Sequence, residues 1–283
     1  MMKKLFKVFF WIAGLCVILI IGTAVTIAKL DPNDYKDYIS AKVRENTGRD
    51  FALSGDIRLE YYPWLGVEIG GLTLGNAAGF GEQPFLQTDA LKIRAKLLPL
   101  FRKQIEMDTI QIHGARFNLA RNKEGKTNWD DLIKGKAEAT ASEEPLPLAA
   151  LILGGVDIRD ASLTWDDRSA DVSWRVSALN ATTGSLVLGK PIDLKVSLNA
   201  DATRPKISTN VALAGTIAYD LDDQHYTLQP LQLSAVLKGQ NIPGGQTELR
   251  LASALDVNLD DDTATVSGIQ FDALDTHAEG DLA

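Results

Sequence analysis

Ile110-Gln-Ile-His-Gly-Ala-Arg-Phe-Asn-Leu119 returns 46 residues later as Val156-Asp-Ile-Arg-Asp-Ala-Ser-Leu-Thr-Trp165. In both stretches every second residue is apolar, the signature of a strand with one face turned from water. In both, the alternation changes parity once, at Gly114-Ala115 and at Asp160-Ala161. A period-two strand keeps one face buried through such a change only if an extra residue bulges out or the chain bends there. Small residues at the change permit either.

A second repeat lies downstream. Ile217-Ala-Tyr-Asp-Leu-Asp-Asp-Gln-His-Tyr-Thr-Leu-Gln-Pro-Leu-Gln-Leu233 matches Leu255-Asp-Val-Asn-Leu-Asp-Asp-Asp-Thr-Ala-Thr-Val-Ser-Gly-Ile-Gln-Phe271 at an offset of 38. Each reads as strand, acidic turn, strand, a Pro or Gly break, and strand. Repeated antiparallel strands of this kind build an elongated sheet in which each segment meets mainly its neighbours. An acidic turn is solvated and discourages edge pairing. Alternation already begins at Phe51, with Leu53, Ile57 and Leu59, and continues through Val67, Ile69, Leu72, Leu74, Leu91 and Ile93. Pro63, Gly66, Gly70-Gly71, Gly75-Asn76 and a Gly79–Pro84 loop punctuate it as turns. About 16 strands at ~4.8 Å each give a sheet roughly 75 Å wide.

Two segments depart from this grammar. Asp31-Pro32 reads as a helix cap followed by proline in the first turn. Tyr35, Tyr38, Ile39 and Val43 then form one apolar stripe, and Gly48 stops the helix. The stripe is expected to pack on the first strands, with the lipid headgroup surface as the competing site. Residues 134–150, with Ala-Glu-Ala-Thr-Ala-Ser-Glu-Glu-Pro-Leu-Pro, read as a linker or exposed loop dividing 31–133 from 151–283.

Val8 to Ala28 is uncharged and apolar, about the ~20 residues a helix needs to cross a bilayer. Lys3, Lys4 and Lys7 precede it and no acid occurs before Asp31, so residues 1–7 are expected on the cytoplasmic side and the bulk outside. The run exceeds the 7–15 apolar residues usual in a cleaved signal. Cys16 follows Leu15 rather than a small residue, and reads as part of the span rather than a lipidation site. As the single cysteine it leaves the exported part without a disulfide.

Formal net charge is −8, and without the three leading lysines 26 basic residues face 37 acidic ones. That argues against nucleic acid and anionic membrane surfaces as electrostatic partners. Nucleotide-loop, nucleophile-elbow and zinc-helix motifs are absent from the sequence. His113, His225 and His277 lie far apart and read as surface residues. Asp260-Asp-Asp262 lacks calcium-loop spacing. Asp130-Asp131 cannot face each other as glycosidase carboxylates do, and read as helix N-terminal charge. Trp64, Trp129, Trp165 and Trp174 are scattered and read as packing residues. No cofactor, metal or catalytic residue is expected.

An apolar sheet face must be covered, because each apolar Å² left in water costs about 25 cal/mol. The residues leave three solutions open: a sandwich, a closed barrel, or a groove filled by an apolar ligand.

Further features carry a family resemblance: Thr47-Gly48-Arg49 running into Phe51-Ala-Leu-Ser-Gly-Asp-Ile-Arg-Leu59, then Tyr62-Pro63-Trp64, Ile110-Gln-Ile112-His-Gly-Ala, and Gly125-Lys-Thr-Asn128-Trp129-Asp130-Asp-Leu132. With these, the chain resembles the AsmA family of Gram-negative envelope proteins, and the Gly-x-x-Asn-Trp-x-x-Leu element is the most specific part of the match. The resemblance implies an all-β, elongated antiparallel sheet curled into an open apolar trough, similar to chorein-like bridge-like lipid transfer proteins. It implies a single-pass inner-membrane protein with a periplasmic bulk that handles phospholipid for outer-membrane biogenesis. Acyl chains would lie against Leu53, Ile57, Leu59, Ile110, Ile112, Phe117, Leu119, Val156, Ile158, Leu163, Leu231 and Leu233. The alternative is a non-enzymatic module that assists assembly of outer-membrane or envelope proteins through an open β edge at the C-terminal end.

Overall fold

The computed structural model describes residues 31–132 and 151–282, except 101, 103, 188, 221–223 and 275. The expected span at 8–28, the lysines before it, Cys16 and the 134–150 linker lie outside the described residues. Among those residues no helix is long and apolar enough to cross a membrane.

The described chain is an open, 18-stranded sheet. Strands β1 (Phe51–Leu53) to β9 (Arg116–Arg121) are short. They include β2 (Ile57–Glu60), β3 (Trp64–Ile69), β4 (Leu72–Leu74), β5 (Leu86–Thr88), β6 (Ala90–Lys96), β7 (Ile105–Met107) and β8 (Ile110–His113). After β10 (Leu151–Leu153) come the long strands β11 (Val156–Asp167), β12 (Val172–Thr183), β13 (Ile192–Thr203), β14 (Lys206–Asp220) and β15 (His225–Gly239). The meander ends with β16 (Gln246–Asn258), β17 (Thr263–Ala273) and β18 (Thr276–Leu282).

The short strands are long strands interrupted once. β1 with β2 pairs with β4 and β3, these pair with β5 and β6, and these in turn with β9 and β8. A crease crosses the sheet at the interruptions. Hydrogen bonds bridge it: Gly70 N–H donates to Asp56 O (2.9 Å), Asp89 N–H to His113 O (3.0 Å) and Gly114 N–H to Arg159 O (2.9 Å). Backbones come so close there that a Cβ on Gly55 would sit 1.1 Å from Gly70 O.

The first repeat is now explained. β11 pairs in parallel with β8 and β9, and its register is Val156↔Ile110, Ile158↔Ile112, Leu163↔Phe117 and Trp165↔Leu119. The copies are neighbours, aligned residue for residue. Gly114 (φ 59°) and Asp160 (φ 51°) adopt left-handed backbone side by side, so both strands change parity together and stay in register. This corrects the all-antiparallel expectation, since β7–β10 is also parallel. The connection from β9 to β11 must carry the chain back along the sheet, which a tight turn cannot do.

The second repeat is the β14–β15 and β16–β17 hairpins. Its Pro and Gly breaks do not end strands. They lie at bulges inside β15, between Leu228 and Leu231, and inside β17, between Val266 and Ile269, with Gly268 at φ 60°. Gly66 is likewise no turn. It lies within β3 opposite Arg94, whose side chain occupies the space a Cβ would need.

Pro32–Tyr35 forms a 3-10 turn capped by the Asp31 carboxylate, and the helix Lys36–Thr47 follows, ending at Gly48 (φ 68°). Ile39 and Val43 are half-buried, whereas Tyr35 and Tyr38 are exposed, so only half the expected stripe packs against protein. Asn33 caps the sheet edge: Ile57 N–H donates to its Oδ1 (2.9 Å), and its Nδ2 donates to Ile57 O (3.2 Å).

Candidate functional site

Residues directly opposite each other in a sheet point to the same face. Following the pairing from strand to strand therefore traces rows of side chains. One row runs Ile57, Ile69, Leu91, Ile112, Ile158, Ala181, Val196, Leu213, Leu233, Leu251, Phe271 and Ala278, without a polar member. It takes one residue from each of β2, β3, β6, β8 and β11 to β18, and at ~4.8 Å per strand it is roughly 50 Å long. The row one residue further along each strand, on the opposite face, is different. It runs Arg58, Glu68, Lys92, Gln111, Asp157, Thr182, Lys195, Ala214, Gln232, Ala252, Gln270 and Glu279.

Across the crease a second row shares the apolar face: Phe51, Leu74, Leu86, Phe117, Leu163, Val176, Ala200, Thr209, Leu237 and Thr247. β13 and β14 pass between the two rows without a bulge of their own, so Val196 and Ala200, like Leu213 and Thr209, lie on one side. All the apolar positions singled out from sequence fall on this face. Ile57, Ile112, Ile158 and Leu233 belong to the first row, and Phe117 and Leu163 to the second. Leu53 and Leu59 lie on their strands beside Phe51 and Ile57, as do Ile110, Val156, Leu119 and Leu231 beside row members.

Among the described residues the long apolar row is half-buried from Ile69 to Phe271 and fully buried only at Ile57. On the apolar face as a whole Ile57, at 5% exposure, is fully buried, as are Ala161, Ala202 and Ala235, whereas buried Ala120 and Phe85 alternate with Leu119 and Leu86 and so lie on the other face. The long strands show half-buried apolar residues alternating with exposed polar ones, as β13 does from Ile192 to Thr203. A sandwich would bury both large side chains and strand centres to core levels. A shallow cavity of about 660 Å³ lies on the opposite, polar face, floored by Ala212, Ala214 and Ala252 and rimmed by Lys195, Gln232, Arg250 and Asp272. Its charged rim does not suit an acyl chain.

The most polar buried cluster is structural. Arg49, 3% exposed, makes a bidentate pair with Asp131 (2.9 and 2.5 Å), donates to Asn128 O (2.6 Å) and lies over the Phe85 ring at 4.8 Å. The Arg49 hydrogen bond holds the Asp131 carboxyl below its usual range. Asn128 is 0% exposed; its Oδ1 accepts from Ala120 N–H (2.9 Å), and its Nδ2 donates to Asn118 O (2.7 Å) and Asn76 Oδ1 (2.8 Å). Asp130 accepts from Thr127 N–H (3.1 Å). The acidic pair thus serves as ion-pair partner and turn clamp rather than as charge on a helix end alone. Three of the scattered tryptophans converge: Trp129 and Trp165 ring centroids are 5.5 Å apart, and Trp165 is opposite Trp174 in the sheet. Sequence reading missed this because Arg49, Asn76 and Asn128 are brought together only by the pairing of β1, β4, β5 and β9.

Among the described residues there is no metal-binding cluster of His, Cys, Asp and Glu. His225 bonds Asp256 (2.9 Å), and His277 bonds Asp272 (2.6 Å) and Glu279 (3.0 Å), whose hydrogen bonds raise its pKa from the usual imidazole range.

The chain is similar to Protein AsmA of Escherichia coli (strain K12), 28% identical over 116 residues, covering 41% of this chain and 18% of that protein. It is also similar to AsmA family protein YhjG of the same organism, 24% identical over 156 residues, 51% of this chain and 23% of that one. The chain therefore matches less than a quarter of the length of either relative. No solved structure matches. The family model described as "AsmA family" matches residues 2–278, so the chain belongs to the AsmA family.

Proposed function

We propose that the apolar face binds phospholipid acyl chains and conducts them along the sheet, in a membrane-anchored protein whose bulk lies in the periplasm and serves outer-membrane lipid supply. The observation that carries this reading is the unbroken apolar row across β2, β3, β6, β8 and β11 to β18, which among the described residues is half-buried rather than packed from Ile69 to Phe271. The hydrocarbon core of a bilayer is ~30 Å thick, about 15 Å per leaflet, so the row is roughly three acyl chains long. Each methylene kept from water is worth about 0.8 kcal/mol. A tail moving from bilayer to row exchanges one apolar environment for another, so the step has little net cost. Headgroups remain in solvent beyond the open side. Nothing in this passage requires a catalytic residue, and the protein acts without enzymatic chemistry.

The test is mass spectrometry of lipid retained by the full chain after mild extraction. Wild type is expected to carry phospholipid. Ile158→Glu and Leu213→Glu, each placing a charge in the row, are expected to lose most of it while far-UV circular dichroism stays unchanged. Lipid-free wild type, or variants that unfold instead, would sink the proposal and favour an assembly module acting through the edge of β18.

A further inference from the structure

The apolar face has an exposed end, and its side chains are those of a bilayer interface. The loop between β2 and β3 carries Tyr61 and Tyr62, Trp64 opens β3, and Tyr62 is 84% exposed. Trp64 lies opposite Lys96, the last residue of β6, and Leu65 opposite Ala95. The chain then turns through Leu97–Leu100, where Leu98 is 73% exposed, and on to exposed Arg102. Tyr61, Tyr62, Leu65, Leu98, Lys96 and Arg102 are therefore at one corner of the sheet. Lys96 pairs with Glu106 at 2.8 Å and lies 6.0 Å from the Trp64 ring. Arg102 has no acidic partner among the described residues. From Lys92 to Arg102 the chain has no acidic residue and carries Lys92, Arg94, Lys96 and Arg102, against a net charge of −8 for the whole.

We infer that this corner seats in the headgroup region of an anionic bilayer and opens the apolar face to it. The inference rests on the anchored reading of residues 8–28. Exposed tyrosine and leucine tips beside the cation Arg102 match the aromatic belt and basic flank of membrane interfaces. Chain length supplies the second argument. Asn33 is hydrogen-bonded to Ile57, the first member of the long apolar row. Five residues from Ala28 to Asn33 reach at most about 18 Å. From Ile57 to Tyr61 along β2 is a further ~13 Å. The corner is thus tethered within about 30 Å of where the apolar run ends. Leu59 and Leu65, both exposed, lie on the apolar face between the corner and the row. A tail leaving the bilayer there meets apolar side chains at each step.

The experiment uses the full chain in vesicles with and without phosphatidylglycerol. In a Cys16→Ser background, Tyr62→Cys and, separately, Leu98→Cys carry an environment-sensitive fluorophore. Leu259→Cys, an exposed leucine in the acidic turn between β16 and β17, is the control. Brominated acyl chains are expected to quench the probes at 62 and 98 roughly threefold more than the probe at 259. Arg102→Glu with Lys96→Glu is expected to remove the gain from phosphatidylglycerol. Equal quenching at the three positions, in a protein that floats with the vesicles, overturns the docking and leaves the anchor intact. A protein that does not float with vesicles overturns the anchor and the docking together.

Discussion

Arg49 and Asn128 show what a single polar side chain does in a sheet with little core. Arg49 is bonded to the segment at Asn128–Asp131 and to Gly75, and so ties the end of the first helix to the segments that follow β9 and β4. Asn128→Ala removes the acceptor for Ala120 N–H and the donor to Asn118 O, leaving buried groups unsatisfied. We expect a loss of about 2–4 kcal/mol in urea unfolding. Asp131→Ala strands the buried guanidinium. Asp131 itself is partly exposed and water replaces some of its contact, so the loss is expected near 2 kcal/mol. The pH dependence has a definite sign. The folded carboxyl titrates below the unfolded one, so its stabilisation is full above about pH 4 and disappears as pH falls through the folded value. In Asp131→Asn the urea midpoint should depend less on pH between about 2 and 5 than in wild type. An unaltered dependence would show that Arg49 does not set it.

Strands β8, β9 and β11 show how a parity change is built. Asp160 takes a left-handed backbone at φ 51° and its N–H donates to Asn180 Oδ1 (3.1 Å), while Gly114 takes φ 59° on the neighbouring strand and its N–H donates to Arg159 O (2.9 Å). A β-branched residue is strained there. Asp160→Val is expected to cost about 1–2 kcal/mol more than Asp160→Gly in thermal unfolding, because only the valine must be forced into that conformation. Equal losses would mean that the Asn180 hydrogen bond, not the backbone, holds the bulge. Both repeats were legible because their periodicity belongs to the residues themselves. The partner of the first repeat was not: an offset of 46 is as compatible with stacked hairpins as with two strands side by side. Only the 2.9 Å bond from Gly114 N–H to Arg159 O and its neighbours show that the copies pair in parallel.

Taken together, the described strands form a single sheet whose apolar side is half-buried rather than packed. That has a mechanical consequence. In a packed core, a buried charge destabilises by several kcal/mol. Here the Leu213 position borders solvent, so Leu213→Glu is expected to cost only about 1–2 kcal/mol while emptying the row of lipid. A loss above ~4 kcal/mol would show a dry, closed interior instead. Because each strand meets mainly its two neighbours, a disturbance at Leu213 should leave hydrogen exchange at the crease unchanged.

Alternation of residue types was enough to assign strands from Phe51 onward, to put the chosen leucines and isoleucines on one side of their own strands, and to place the parity changes. These are local consequences of the two-residue period of an extended chain, and they need no knowledge of neighbours. What joins Ile57 to Ala278 in one uninterrupted apolar row is long-range register. That register is set by which N–H meets which C=O across the crease and at the parallel junction, and no periodicity along the chain specifies it. The half-burial of the described face has the same origin: whether an apolar surface is packed or open depends on where the rest of the backbone goes, and that is decided only once the whole sheet has formed.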